Sequence, residues 1–94
     1  MAHGPDAVHE LIEESGWSYP VSVRRLEREH ALANVQLDGE GNSAMVSELM
    51  ARGKFDRFES RADLEEKVGE VIRKELAERK TGVFARIRRT FLGR

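Results

Sequence analysis

The stretch that decides the fold is residues 60–72, SRADLEEKVGEVI. Ser60 and Asp63 have the spacing of a capping box. In this motif the side chain of each residue accepts a hydrogen bond from the backbone N–H of the other, so a helix should begin here. One side of this helix is apolar and is predicted to face the core: Leu64, Val68, Val71 and Ile72. The other side carries acid-first pairs four residues apart, which indicate a solvated face: Asp63–Lys67, Glu70–Lys74 and Glu75–Arg79.

The apolar side of the helix fades toward the C-terminus, because Glu75 and Arg79 occupy the positions where the next core residues would fall. We therefore expect core contact to end between Ile72 and Leu76, with residues 73–80 acting as a polar spacer. This divides the chain into a compact acidic domain, residues 1–76, and a basic amphipathic C-terminal tail, residues 77–94.

Shorter elements are predicted upstream of this helix from caps, stops and periodicity. The expected helices begin near Pro5 with a stop at Gly16, at the cap Ser22, and at Ser43 with Gly53 closing the last one. Residues 34–38 alternate as a half-buried strand does, and residues 54–59 should be extended. The expected fold class is α+β: a mostly helical, small single domain with one or two short strands and a C-terminal amphipathic helix.

Composition narrows the class of protein further. The 94 residues are 39% hydrophobic and 35% charged, which allows one modest core beneath a heavily solvated surface. There is no cysteine, so disulfides and thiolate metal sites are excluded. No apolar stretch could span a bilayer, and the N-terminus lacks the pattern of a signal peptide. We expect a cytoplasmic protein, with peripheral membrane association as the alternative, and no cofactor.

Charge is segregated along the chain. From Arg79 to Arg94 there are six basic residues and no acidic ones, whereas residues 1–78 hold ten basic against seventeen acidic residues, a balance of −7. Segregation of this degree says more about partners than the total charge of −1 does.

The basic tail is also amphipathic. In a helix that starts at Val83, one side would be apolar and the other basic, so the predicted partner-binding residues are Val83, Phe84, Arg86, Ile87, Arg88, Arg89 and Phe91. Burial of the four apolar side chains, Val83, Phe84, Ile87 and Phe91, could contribute roughly 6–8 kcal/mol before the cost of ordering the segment is subtracted. Each arginine could add about 1 kcal/mol at an anionic surface. These magnitudes favour reversible docking on an anionic membrane surface or in a protein groove.

Three other fates of the tail stay open at this stage. It could fold back on its own acidic domain and complete the core. It could contact nucleic acid, with arginines on phosphates and aromatic rings on bases. It could also meet the acidic body of another copy, which would make the protein a self-associating structural unit and a homo-oligomer.

Catalytic and metal-binding patterns are weak. His9-Glu10-Leu11-Ile12-Glu13 resembles the zinc-protease helix motif, but Glu13 stands where the second histidine should be and no third ligand is placed. The serines fall at caps and turns, and His30 lies on an apolar stripe as a packed histidine would. We expect no catalytic residue, no metal and no enzyme, but a non-catalytic adaptor or regulatory protein.

Two segments carry resemblances to known families. Tyr19-Pro20-Val21-Ser22, together with the helix start from Arg57 to Leu64, resembles small uncharacterised archaeal domain families, which imply no activity. Residues 80–87, KTGVFARI, resemble the C-terminal membrane-targeting helix of Min-type ATPases. Only that helix is shared, because the ATPase domain has no counterpart here.

Overall fold

The computed structural model describes the backbone of residues 2–92 and the side chains of residues 2–79. Along this part of the chain run four helices and four short strands: α1 Pro5–Glu14, β1 Val21–Ser22, α2 Val23–His30, β2 Asn34–Gln36, β3 Ser43–Met45, α3 Val46–Gly53, β4 Arg57–Phe58 and α4 Arg61–Leu92. The predicted α+β class is confirmed.

The strands form two separate antiparallel pairs. β1 pairs with β4, Val21 opposite Phe58, and β2 pairs with β3, Val35 opposite Ala44. The strand predicted within residues 34–38 is confirmed as β2, while β1 was not predicted. The turn between β2 and β3 is held by Asp38, whose carboxylate accepts bonds from the Asn42 side chain at 2.7 Å and the Glu40 N–H at 2.9 Å.

The prediction that Ser43 starts a helix is wrong. Ser43 lies in β3 opposite Gln36, and α3 begins three residues later at Val46. The first N–H groups of α3 have partners from elsewhere in the chain: Val46 and Ser47 donate to the carbonyls of Ala33 and Ala31, each at 3.0 Å. A serine cap is therefore unnecessary, because these orphan donors are already satisfied.

The closure of α3 also differs from the prediction. Gly53 is the last helical residue, and Lys54, with φ 54°, ends the helix in the left-handed conformation. Glycine at position 53 lets the ring of Phe55 lie close to the backbone, since a Cβ there would lie 2.2 Å from that ring and the ring would have to move. Of the extended segment predicted over residues 54–59, the strand β4 occupies only Arg57–Phe58.

The start of α4 is confirmed, with one change in its hydrogen bonds. The Asp63 N–H donates to the Ser60 hydroxyl at 3.1 Å, as predicted, but the Asp63 carboxylate accepts from the Glu59 N–H at 2.9 Å, one residue before the cap. This bond and the neighbouring Lys67 ammonium hold the pKa of Asp63 below its usual value.

The core lies between the helices and the two strand pairs. Its buried apolar side chains are Val8, Ile12, Val21, Val23, Leu26, Val35, Leu37, Ala44, Val46, Leu49, Met50, Phe58, Leu64, Val68, Val71 and Ile72. Among residues 2–79, no buried side-chain nitrogen or oxygen lacks a hydrogen-bond partner. The predicted core side of α4 is therefore confirmed, and Leu76 packs partly buried at its end.

Candidate functional site

The predicted docking residues belong to the last part of the chain, beyond residue 79. Val83, Phe84, Arg86, Ile87, Arg88, Arg89 and Phe91 lie outside the residues whose side chains are described. The place where α4 parts from the core is described, and so is the surface of the body.

A charged rim marks the end of core contact on α4. On either side of Leu76, Arg52 of α3 pairs with Glu75 at 3.3 Å and with Glu78. Arg79 pairs with Glu75 at 2.9 Å and donates to the Ser43 carbonyl at 3.0 Å. The predicted polar spacer is thus tied to α3 and β3 by charged contacts, and Leu76 is its last apolar contact with the core among residues 73–79.

The outer face of α4 satisfies its own charges. Lys67 lies 3.0 Å from Asp63 and Lys74 lies 3.3 Å from Glu70, as the spacing predicted. Exposed pairs of this kind contribute only a few tenths of a kcal/mol each. They account for the charges on this face without a ligand.

His9 has its two ring nitrogens engaged by protein groups. Nδ1 lies 2.7 Å from the Tyr19 hydroxyl, and Nε2 lies 3.4 Å from a Glu13 oxygen. Burial raises the pKa of the Tyr19 phenol, against the opposing effect of Arg61, so the phenol in this contact is neutral. The arrangement orients the histidine on α1 and gives it no open position for a metal.

Ser15 and His30 lie at hydrogen-bond distance, as a nucleophile and its base would. Their Oγ and Nε2 atoms are 2.7 Å apart. The single hydroxyl proton of Ser15 is, however, directed to the Leu11 carbonyl at 2.8 Å. Oγ is then the acceptor from the Nε2–H of His30, the reverse of what activation of a nucleophile needs. The contact joins the end of α1 to the end of α2.

The described residues contain neither a metal-binding cluster nor a helix that could cross a membrane. Residues 2–79 hold no group of three or more His, Asp or Glu side chains placed to bind a metal ion. None of the described helices combines the length and the apolar character that crossing a membrane requires.

A groove of about 480 Å³ separates α1 from the outer edge of β2. Ala7 and Leu11, both half-buried, and Ala2 form its apolar floor. Glu10 and Glu14 line the α1 wall, and Asn34 and Gln36 line the strand wall. The Gly4 N–H donates to the Gln36 carbonyl at 2.6 Å, which closes one end.

The α1 wall of this groove is acidic. Glu10 and Glu14 are exposed, lie four residues apart, and form no ion pair with any described residue. Like charges at this spacing repel, and a carboxylate in the last turn opposes the helix macrodipole. The sequence reasoning missed these residues, although an α1 with acids and no lysine or arginine was the available signal.

A second groove, of about 410 Å³, lies between the end of α3 and α4, beside Phe55. Arg52, Lys67 and Lys74 line it, together with Glu70. Each of these cations already has a carboxylate partner, at Glu75, Asp63 and Glu70 respectively. This groove therefore offers no unmatched charge to a ligand.

No family model matches the chain, and no characterised protein or solved structure is significantly similar to it. The resemblances to archaeal domains and to the Min-type helix therefore stay predictions.

Proposed function

We propose that this protein is a non-catalytic adaptor that docks on an anionic membrane surface through its basic amphipathic C-terminal segment, residues 80–94. The observation that carries the proposal is the charged rim at Glu75, Glu78 and Arg79. Among the side chains that the structure describes, Leu76 is the last of α4 to pack on the core, and it lies between the charged residues of this rim. The apolar and basic residues of the segment follow the rim in sequence.

The charges of the two parts set the orientation of the docked protein. Residues 1–79 contain eleven basic and seventeen acidic residues, a net charge of −6, whereas residues 80–94 contain five basic residues and no acidic one. An anionic surface attracts the segment and repels the body. The body is thereby held away from the lipid, where its surfaces are open to a protein partner.

The strength of this docking is that of a reversible contact. The apolar side chains Val83, Phe84, Ile87 and Phe91 supply the hydrophobic part, and Arg86, Arg88 and Arg89 supply about 1 kcal/mol each near an anionic leaflet. The helix of this segment continues α4, which ends at Leu92, and the side chains that dock lose rotamer freedom, which subtracts part of the gain.

Vesicle flotation of the full chain tests the proposal. We expect the protein to float with vesicles that contain about 30% phosphatidylserine and to remain at the bottom with neutral phosphatidylcholine vesicles, because the segment needs an anionic surface. The variant R86Q/R88Q/R89Q should lose flotation. The matched control R24Q/R28Q/R73Q removes three exposed arginines from the body and should float as the natural chain does.

Equal flotation with neutral and anionic vesicles, or none with either, would contradict the proposal. A gel shift with duplex DNA and with RNA forms a second arm of the experiment. Binding there that weakens steeply as salt rises, without flotation, would replace membrane docking with nucleic-acid binding.

A further inference from the structure

The geometry points to a second docking site on the body: the α1–β2 groove receives the basic C-terminal segment, residues 80–94, of a second copy of this chain. The inference goes beyond membrane docking, since it assigns the same segment a protein partner when no anionic surface is present.

The shape of the groove suits an amphipathic segment. Ala7 and Leu11 give an apolar strip along its floor, and Glu10 and Glu14 flank that strip one helical turn apart. An amphipathic segment could therefore bury its apolar side on the floor while its cations reach the acidic wall.

The charges of the groove call for a cationic occupant. Four acids and no lysine or arginine lie on α1. Asp6 is matched by Arg61 at 3.4 Å and Glu13 faces His9 at 3.4 Å, which leaves Glu10 and Glu14 without an ionic partner among the described residues. A bound cation would remove the repulsion between these two carboxylates and the conflict of Glu14 with the helix dipole.

The C-terminal segment has the complementary pattern. Residues 80–94 contain five basic residues and no acidic one, and no other acid-free stretch of the sequence contains more than two basic residues. In helical form, Arg86 and Arg89 would lie three residues apart on one side, a spacing close to that of Glu10 and Glu14. Phe84 and Ile87 would lie on the neighbouring apolar side, as the floor of the groove requires.

The segment of a neighbouring copy fits the groove better than the chain's own segment does. α1 packs against α4 with Val8 and Ile12 buried in the core, so the Glu10–Glu14 side opens away from α4. The last described contact of α4 is that of Arg79 with Ser43, on β3, whereas the groove lies on the other side of β2. A second copy avoids the reversal around β3 and β2 that docking within one chain would need.

The test is self-association of the full chain, measured by light scattering over a range of protein and salt concentrations. The natural chain should associate at low salt and dissociate as salt screens the charges. The groove variant E10K/E14K and the segment variant R86E/R89E should each weaken association at least about tenfold. The control D56K/E66K reverses two exposed acids elsewhere on the body and should associate normally.

Mixing the two weakened variants makes the test specific. The basic groove of E10K/E14K can then bind the acidic segment of R86E/R89E, and the acidic groove of R86E/R89E can bind the basic segment of E10K/E14K. The mixture should therefore associate about as strongly as the natural chain. Circular dichroism verifies that both variants are folded. A natural chain that stays monomeric, association that survives in the groove variant, or a mixture that fails to associate would each overturn the inference.

Flotation separates this inference from the proposed function. The groove variant should float on anionic vesicles at least as well as the natural chain, because its segment is intact and no longer sequestered. Self-association without flotation would support the groove assignment and refute membrane docking. Flotation without self-association would support membrane docking and refute the groove assignment.

Discussion

The exposed sides of α1 and α4 use the same kind of residue in opposite ways. On α4, each acid in the pairs Asp63–Lys67, Glu70–Lys74 and Glu75–Arg79 lies next to a base on its own helix. On α1, Glu10 and Glu14 have the same four-residue spacing, but both are acids and neither has an ionic partner among residues 2–79.

The exposed face of α4 thus has its charges paired within the fold, whereas the exposed face of α1 has two carboxylates without an ionic partner among the described residues. The α4 face gains a few tenths of a kcal/mol of stability per ion pair, so it is stable in contact with water and needs no binding partner to balance its charges. The α1 face loses a similar amount to repulsion and to the helix dipole. A fold that tolerates such a local conflict commonly does so at a functional surface, which is why the groove beside α1 is the better candidate for binding.

The largest expected change in stability comes from a substitution in the core that α1 and α4 share. Leu64 is fully buried on α4, so Leu64→Ala should lower the free energy of unfolding by about 2–5 kcal/mol through lost burial and a residual cavity. Urea denaturation measures this. The control Leu32→Ala, at a side chain that is 80% exposed, should change stability by less than about 0.5 kcal/mol. Equal losses in the two variants would contradict the described core.

A smaller loss is expected at the start of α4. The Ser60 hydroxyl accepts the Asp63 N–H, so Ser60→Ala should cost about 1 kcal/mol of stability. Ser60→Asp retains an acceptor at the cap and should recover most of the loss. A full loss in both variants would mean that the hydroxyl acts through something other than capping.

Charge reversal on α1 should stabilise the fold. Glu14→Lys removes the repulsion from Glu10 and places a cation in the last turn of α1, so we expect a gain of about 0.5 kcal/mol. Denaturation is measured at protein concentrations below those of self-association, where the groove is empty. A gain in stability together with weaker self-association is the signature of a surface kept for binding; a loss of stability would contradict the description of Glu14 as unpaired.

The same kind of reversal on α4 should have the opposite sign. Lys74→Glu replaces the pair with Glu70 by a repulsion, which should cost about 0.3–0.5 kcal/mol. The loss should shrink as salt is added, because the pair is exposed. If both reversals moved stability in the same direction, the contrast between α1 and α4 would fail.

The smallest effect is a pH dependence confined to the α4 start. The pKa of Asp63 is lowered by its bond from the Glu59 N–H and by Lys67, so its stabilising contribution is present above the ordinary aspartate pKa and is lost as pH falls through the lower, folded value. The stability difference between the natural chain and Asp63→Asn should therefore be greatest near neutral pH and shrink in acid. A difference that stays constant down to acid pH would show that the carboxylate charge is not involved.

Local signals in the sequence were sufficient for the helices that begin with their own caps. Ser22 accepts the Arg25 N–H at 3.3 Å and starts α2, and Ser60 starts α4 in the same way. Both were predicted because the donor and acceptor lie within one turn of each other, and the apolar spacing that follows needs no distant residue.

Elements that depend on distant partners were not predictable in this way. Ser22 pairs with Arg57 across thirty-five residues of sequence, and two-residue strands have no periodicity of their own. Ser43 carries the same capping chemistry as Ser22, but the carbonyls of Ala31 and Ala33 satisfy the start of α3 and leave Ser43 to the strand. The groove was missed for a related reason, since its walls come from α1 and β2.

The sequence by itself determined the segregation of charge, the apolar side of α4 and the point near Leu76 where that side ends, because these follow from residue order along one helix or one segment. Only the tertiary structure decided that Glu10 and Glu14 line a groove with an apolar floor and the edge of β2 and have no cation beside them among residues 2–79, while the acids of the α4 pairs are matched. Pairing between charges depends on distances in space, and those distances are set by how α1, β2 and α4 pack around a common core.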